Sequence, residues 1–236
     1  MTAKQLLDAG KVRDAEAALA AHLRDHPADI GSRTFLFELL CFSGQYDRAE
    51  KQLGVLSQGG KEAELGATLY YSVLHAEKTR HDLFRNEEFP AVEAAASPPG
   101  KLNGKPFQSI RDADPSIGAR LEVYAAGAYL WIPFVHIASL NMDPPKHLRD
   151  TLWSPAFVLT GPSFKGTDIG EVLLPAVYPF SWKSEDQAVW LGRATEWAGD
   201  DKGNEFPVGQ KMFAVDGEEV PLLEIRSLEF FADASA

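Results

Sequence analysis

GKVRDAEAALAAHLRDHPADIGSRTFLFELLCFSGQYDRAEKQL, residues 10–53, carries one pattern twice. Gly10 and Gly44 stand 34 residues apart, and at that offset Val12 matches Tyr46, Ala15 matches Ala49 and Leu19 matches Leu53. A period of 34 is that of the tetratricopeptide repeat (TPR), a helix–turn–helix unit that buries its apolar face only against a neighbour. In each copy the glycine ends a helix, the small alanine lets two helices approach, and the large apolar residue packs on the next unit. Pro27 falls 17 residues after Gly10, where such a unit ends.

Working outward, the spacing predicts helices over residues 2–8, 12–26, from a cap at Asp29 or Ser32 to 42, 46–57 and 62–84. Phe35, Leu36, Leu39 and Leu40 make an apolar stripe at helical spacing on the third. Leu65, Leu69, Val73, Ala76 and Arg80 run along the fifth. Two repeats cannot cover both of their own ends, so the fifth helix should cap the stack against the rest of the chain. In the usual repeat register, the groove side of the third helix carries Thr34, Glu38 and Cys41. Thr34 and Glu38 are therefore candidate partner contacts.

Residues 86–106, NEEFPAVEAAASPPGKLNGKP, hold four prolines, two glycines and no periodicity, and read as a linker. Beyond it the pattern turns to short β-branched and aromatic runs. A hairpin is expected over 121–125 and 128–132, with Ala126-Gly127 as its turn, and a further strand over 134–140. Pro144-Pro145 should open a short helix over 146–151. Strands are expected at 156–160, 171–177, 188–195, 210–215 and 222–230. Turns are expected at Gly161-Pro162, Tyr178-Pro179, 199–203 and Asp216-Gly217. The expected architecture is α+β: TPR-like α-helical repeats over 1–85, a linker over 86–106, and a mostly antiparallel β-rich domain over 107–236.

Composition narrows the function. Of 236 residues, 45% are hydrophobic and 24% charged, an ordinary core-forming balance. The formal charge of -11 argues against an electrostatic grip on nucleic acid or an anionic membrane. The single cysteine, Cys41, lies in an apolar run and reads as a buried small hydrophobe. The N-terminus lacks the apolar core of a signal peptide, and the most apolar stretch, 125–140, is too short and too broken for a membrane helix. A cytoplasmic protein is expected.

No phosphate loop, GxGxxG after a strand, GxSxG elbow, HExxH or kinase signature occurs. His22 and His26 share a helix face without a third ligand, and His75, Glu77, His81 and Asp82 split between two faces. Neither set reads as a metal site, and no cofactor is expected. The acidic pairs Glu218-Glu219 and Asp200-Asp201 read as solvated turns. Arg149, Arg193 and Arg226 interrupt apolar patterns, and neighbours such as Asp150, Glu196 and Glu224 could pair with them. All five tryptophans lie beyond residue 130. Arginine and tryptophan are favoured interface anchors, so Arg149, Arg193 and Trp197 join the candidate partner contacts.

Several blocks resemble the ImpE/TagJ family of type VI secretion accessory proteins, in the family's order. They are RTFLFELLCFSGQYDRAEKQL (33–53), the Glu77, Arg80 and Phe84 pattern before Pro90, and GAYLWIPF (127–134). LRDTLW (148–153), LPAVYP (174–179), GRATEW (192–197) and LLEIRSLEF (222–230) complete the set. The chain departs from the pattern at Val177, where arginine is expected, at Phe180, where glycine is expected, and near Val135-His136, where a charged pair is expected. The resemblance implies a non-enzymatic cytoplasmic adaptor. Its implied partners are the small subunit of the contractile sheath, through a short helix of it, and a ClpV-type AAA+ ATPase. Two other readings stay open: an interaction module of another assembly, or an enzyme using a cleft lined by Arg193, Glu196 and a histidine on a small anionic ligand.

Overall fold

The computed structural model describes residues 1–90, 95–166, 168–199, 203 and 205–231. Five helices come first: α1 (Ala3–Asp8), α2 (Val12–Asp25), α3 (Ile30–Phe42), α4 (Tyr46–Leu56) and α5 (Lys61–Arg85). Each packs on the next. Thr2 opens α1 with a capping box: its hydroxyl accepts the Gln5 N–H, and the Gln5 side chain accepts the Thr2 N–H. Of the two expected caps for α3, Asp29 is the one used; its Oδ1 accepts the Ser32 N–H at 3.0 Å. The matched positions of the sequence pattern are buried in both copies, Val12 with Tyr46, Ala15 with Ala49, and Leu19 with Leu53.

Strands follow, giving an α+β chain. β1 (Gly100–Leu102), β2 (Lys105–Phe107), β4 (Arg120–Ala125), β5 (Ala128–Pro133), β6 (Ile137–Met142), β7 (Trp153–Thr160), β8 (Gly170–Pro175) and β13 (Ser227–Phe230) form one antiparallel sheet, in the order β2-β1-β13-β6-β7-β8-β4-β5. β3 (Ile110–Asp112), β11 (Met212–Val215) and β12 (Glu218–Pro221) make a three-stranded sheet, and β9 (Thr195–Gly199) with β10 (Glu205–Gly209) a two-stranded ribbon.

Several expectations need correction. The stretch read as a linker contains β1 and the start of β2, because Lys101 pairs with Glu229 on one side and Pro106 on the other, which the proline count hides. Residues 188–195 are not a strand: Asp186 caps the Ala188 N–H at 2.8 Å and starts a one-turn helix, α6 (Gln187–Trp190), with β9 beginning only at Thr195. Residues 222–230 divide into a 3-10 turn, Leu222–Glu224, and β13. Residues 134–140 likewise begin as a 3-10 turn, Phe134–His136, before β6. The short helix after Pro144-Pro145 is a 3-10 turn, Leu148–Thr151, closed by Asp150 accepting the His147 N–H. The strand expected over 171–177 stops at Pro175. Asp200-Asp201 lies outside the described residues.

The sheet has two working faces. Leu121, Val123, Val158 and Leu174 point into a core shared with Phe213, Leu222 and Leu228. The alternate residues turn towards the helices: Tyr124 and Trp153 join Phe37, Leu39, Leu40 and Leu74 in a second core. Helices and sheet therefore share this second core.

Candidate partner-binding site

The seam between α5 and the sheet holds the densest polar chemistry among the described residues. Arg80, 1% exposed, donates from Nε to Glu122 Oε1 at 2.7 Å and from a terminal nitrogen to the Val177 carbonyl at 3.0 Å. Lys211, 2% exposed, contacts both Glu122 and Asp112. Tyr178 donates to Asp112 at 2.8 Å, Trp153 Nε1 donates to Glu77 at 2.9 Å, and Tyr124 and Tyr129 donate to Glu77 and Glu122. Burial disfavours charge on Glu122, but Arg80 and Lys211 outweigh it and hold its carboxyl down to about 2. Burial works against Glu77 in the same way, and His81, Arg80 and Tyr124 together bring it to about 2. At Asp112 burial wins over Lys211 and pushes the carboxyl up to about 6. The cluster is sealed and its ion pairs run between α5 and the strands, so it couples α5 to the sheet. Removing one partner of such a buried pair costs roughly 3–5 kcal/mol.

Beside this seam, α5 does not cover the whole helix-side face of the sheet. Pro155 and Phe157 project from β7, and Leu173 from β8, into a groove of about 900 Å³ walled on the other side by Leu69, Tyr70 and Val73 of α5. Leu69 is 53% exposed and Phe157 49%, large apolar side chains left facing water. Asp143, Glu171 and Arg226 supply polar groups among the lining residues. Apolar walls with charged groups among them can take an amphipathic helix.

The sequence-derived contacts fall in different places. Glu38 and Arg149 meet each other: Arg149 donates to Glu38 Oε1 at 3.1 Å and stands 5.7 Å from the Tyr70 ring. Glu38 is only 8% exposed, and burial raises its carboxyl despite Arg149. The face of α3 carrying Glu38 and Cys41 is buried, Glu38 against Arg149, and burial pushes the Cys41 thiol well up. Thr34 lies half-buried one turn earlier on α3. Arg193 reaches back to the Leu7 and Asp8 carbonyls at the end of α1, at 3.0 and 3.3 Å. Arg226 donates to the Leu223 and Ile225 carbonyls and lines the α5 groove. Trp197 sits on β9, half-exposed and apart from the other candidates. The cleft that Glu196 lines contains neither Arg193 nor a histidine. Among the described residues no group of three metal-binding side chains is found.

Sequence reasoning missed Lys211, Asp112 and Glu122. The available signal was a charge inside an apolar run, as in Leu121-Glu122-Val123. Phe180 explains one departure from the family pattern. Its φ of 62° is the left-handed conformation that glycine adopts without cost, and its ring is held by His81 at 5.2 Å and Trp182 at 5.6 Å.

Comparison with known proteins extends over nearly the whole chain. A family model described as ImpE protein matches residues 104–229. The chain is 32% identical over 264 aligned residues to the type VI secretion system accessory component TagJ of Pseudomonas aeruginosa, covering 98% of this chain and 91% of that protein. The crystal structure of protein VPA1032 from Vibrio parahaemolyticus superposes with a TM-score of 0.84, at 22% identity and 98% coverage of each chain, which speaks for the fold alone.

Proposed function

The chain belongs to the ImpE family, and on that premise we propose that it is an accessory component of type VI secretion, a non-enzymatic adaptor. The observation that carries this reading is the 32% identity to TagJ across 98% of the chain. In the finer form of the proposal, the adaptor holds a short helix of the contractile sheath's small subunit and brings it to a ClpV-type ATPase. The helical half serves as a TPR-like array with α5 as its capping helix. The adaptor's working place in this proposal is the cytoplasm; no helix among the described residues is long and apolar enough to cross a membrane.

The groove beside α5 is the docking place we favour. Leu69, Tyr70, Phe157 and Leu173 offer an apolar lining of the chemistry that an amphipathic helix needs. Glu38 and Arg149 act behind it by fixing Tyr70, rather than by direct contact. Thr34 remains a candidate contact on α3, and Arg193 supports the fold by holding α1.

Isothermal titration of the full chain against the N-terminal region of the cognate sheath subunit tests both parts. A stoichiometric heat with about micromolar affinity is expected, and Leu69→Asp or Phe157→Asp should weaken it at least about tenfold. Heat that both substitutions leave unchanged would move the site away from the groove. Silence from the peptide and from the intact subunit would remove the sheath as partner.

A further inference from the structure

A second cleft, of about 630 Å³, lies where the β9–β10 ribbon meets the segment that leads into α6, and it shares no lining residue with the α5 groove. Its aromatic walls are Phe180, Trp197 and Phe206. Trp197 is 49% exposed, an indole held in a concavity with much of its surface still in water. Three exposed carboxylates, Glu185, Asp186 and Glu196, line the same cleft. Asp186 accepts the Ala188 N–H and Glu196 accepts the Ser184 hydroxyl. Among the described residues, no lysine, arginine or histidine is ion-paired with any of the three. Among the described residues that line the cleft the one cation is Lys183, which stands 4.5 Å from the centre of the Phe180 ring.

On the far side of Phe180 and Phe206 the surface dips again into a depression of about 540 Å³, lined also by Phe89 and Glu205. The two depressions share Phe180 and Phe206, so aromatic rings and carboxylates line both parts of one continuous track. Ring faces attract cations through their quadrupole, and carboxylates without a cation partner complete the site for one.

We propose that this track binds an extended basic segment of a protein partner, with an arginine side chain stacked on Trp197 and its guanidinium paired to the carboxylates beside it. Charge complementarity selects this occupant. A purely apolar segment would leave Glu185, Asp186 and Glu196 uncompensated, and an acidic one would also bring like charges against them. The inference does not rest on the sheath reading, because the two clefts have no residue in common.

Fluorescence anisotropy of the full chain with a labelled peptide of alternating arginine and glycine tests it, with a glutamate–glycine peptide alongside. Binding of the arginine peptide alone is expected, weakened at least about tenfold by Trp197→Ala and by the double substitution Glu185→Gln/Glu196→Gln. Glu62→Gln/Glu64→Gln removes the same charge from the exposed start of α5 and should leave binding unchanged. Unchanged urea midpoints would show that the cleft variants fold. Equal weakening by both double substitutions would mean that the net charge of -11, not the cleft, attracts the peptide, and would overturn the proposal. Absence of binding would overturn it as well.

Discussion

Glu77, Glu122 and Asp112 share the sealed centre of the molecule with Arg80 and Lys211, so the carboxylates outnumber the full-time cations by one. Glu122 draws on both cations and Glu77 on Arg80 and His81, which leaves Asp112 as the group that burial can keep protonated. Its folded value of about 6 lies above the ordinary 3.8, so the folded chain binds this proton more tightly than the unfolded chain. Stability drawn from it is complete below 3.8 and is lost as pH rises through about 6. Urea midpoints taken across pH should therefore show the wild type losing ground to Asp112→Asn between those two values, with a constant gap above them. A gap that does not change with pH would mean that Asp112 ionises normally. Little of this was legible in the sequence. A period-two reading turns Glu122 away from the core of Leu121 and Val123, which is correct, but it assigns that side to water rather than to α5. Arg149 and Arg193 misled for a related reason: their natural sequence neighbours were Asp150 and Glu196, whereas folding gives them Glu38 and the end of α1.

Helix ends tell a more readable story. Gly10 and Gly44 were recognisable as matched helix terminators, and both take left-handed backbone, at φ 75° and 70°. Their surroundings differ in a way that no repeat pattern reveals. A Cβ at Gly10 would meet nothing within 4 Å, whereas one at Gly44 would lie 2.5 Å from the Trp182 ring. Gly10→Ala should cost about 1 kcal/mol from backbone strain alone. Gly44→Ala adds overpacking and should cost about 3 kcal/mol or more. Chemical denaturation of the two variants checks the contrast, and equal losses would show that Trp182 yields freely. The β4–β5 hairpin was equally legible, since Ala126-Gly127 supplies the turn and alternation runs up to it. The apolar Ala188, Val189, Trp190 and Leu191 were not, because so short a run fits a buried helical turn as well as a strand.

At the scale of the whole molecule, the change from helical spacing to short strands gave the fold class, while the joining of the halves lay beyond pattern reading. Phe37, Tyr70 and Trp153 meet in one aromatic group, and Arg80 extends from the helices into the sheet's polar centre. A fragment of residues 1–90 alone should therefore lack a cooperative urea transition and expose apolar surface to dye, and adding residues 95–231 should restore both properties. A sharp transition in the isolated fragment would show that the helices stand by themselves. The order of the strands bears on how the chain is made. β13, residues 227–230, is inserted between β1 and β6, strands translated long before it. A ribosome making this protein holds the outer pair β2-β1 apart from the five strands beginning with β6 until residues 227–230 have been made. Through that interval two open sheet edges wait for the same late segment, and a nascent chain stalled short of it has every backbone reason to pair with its neighbour instead.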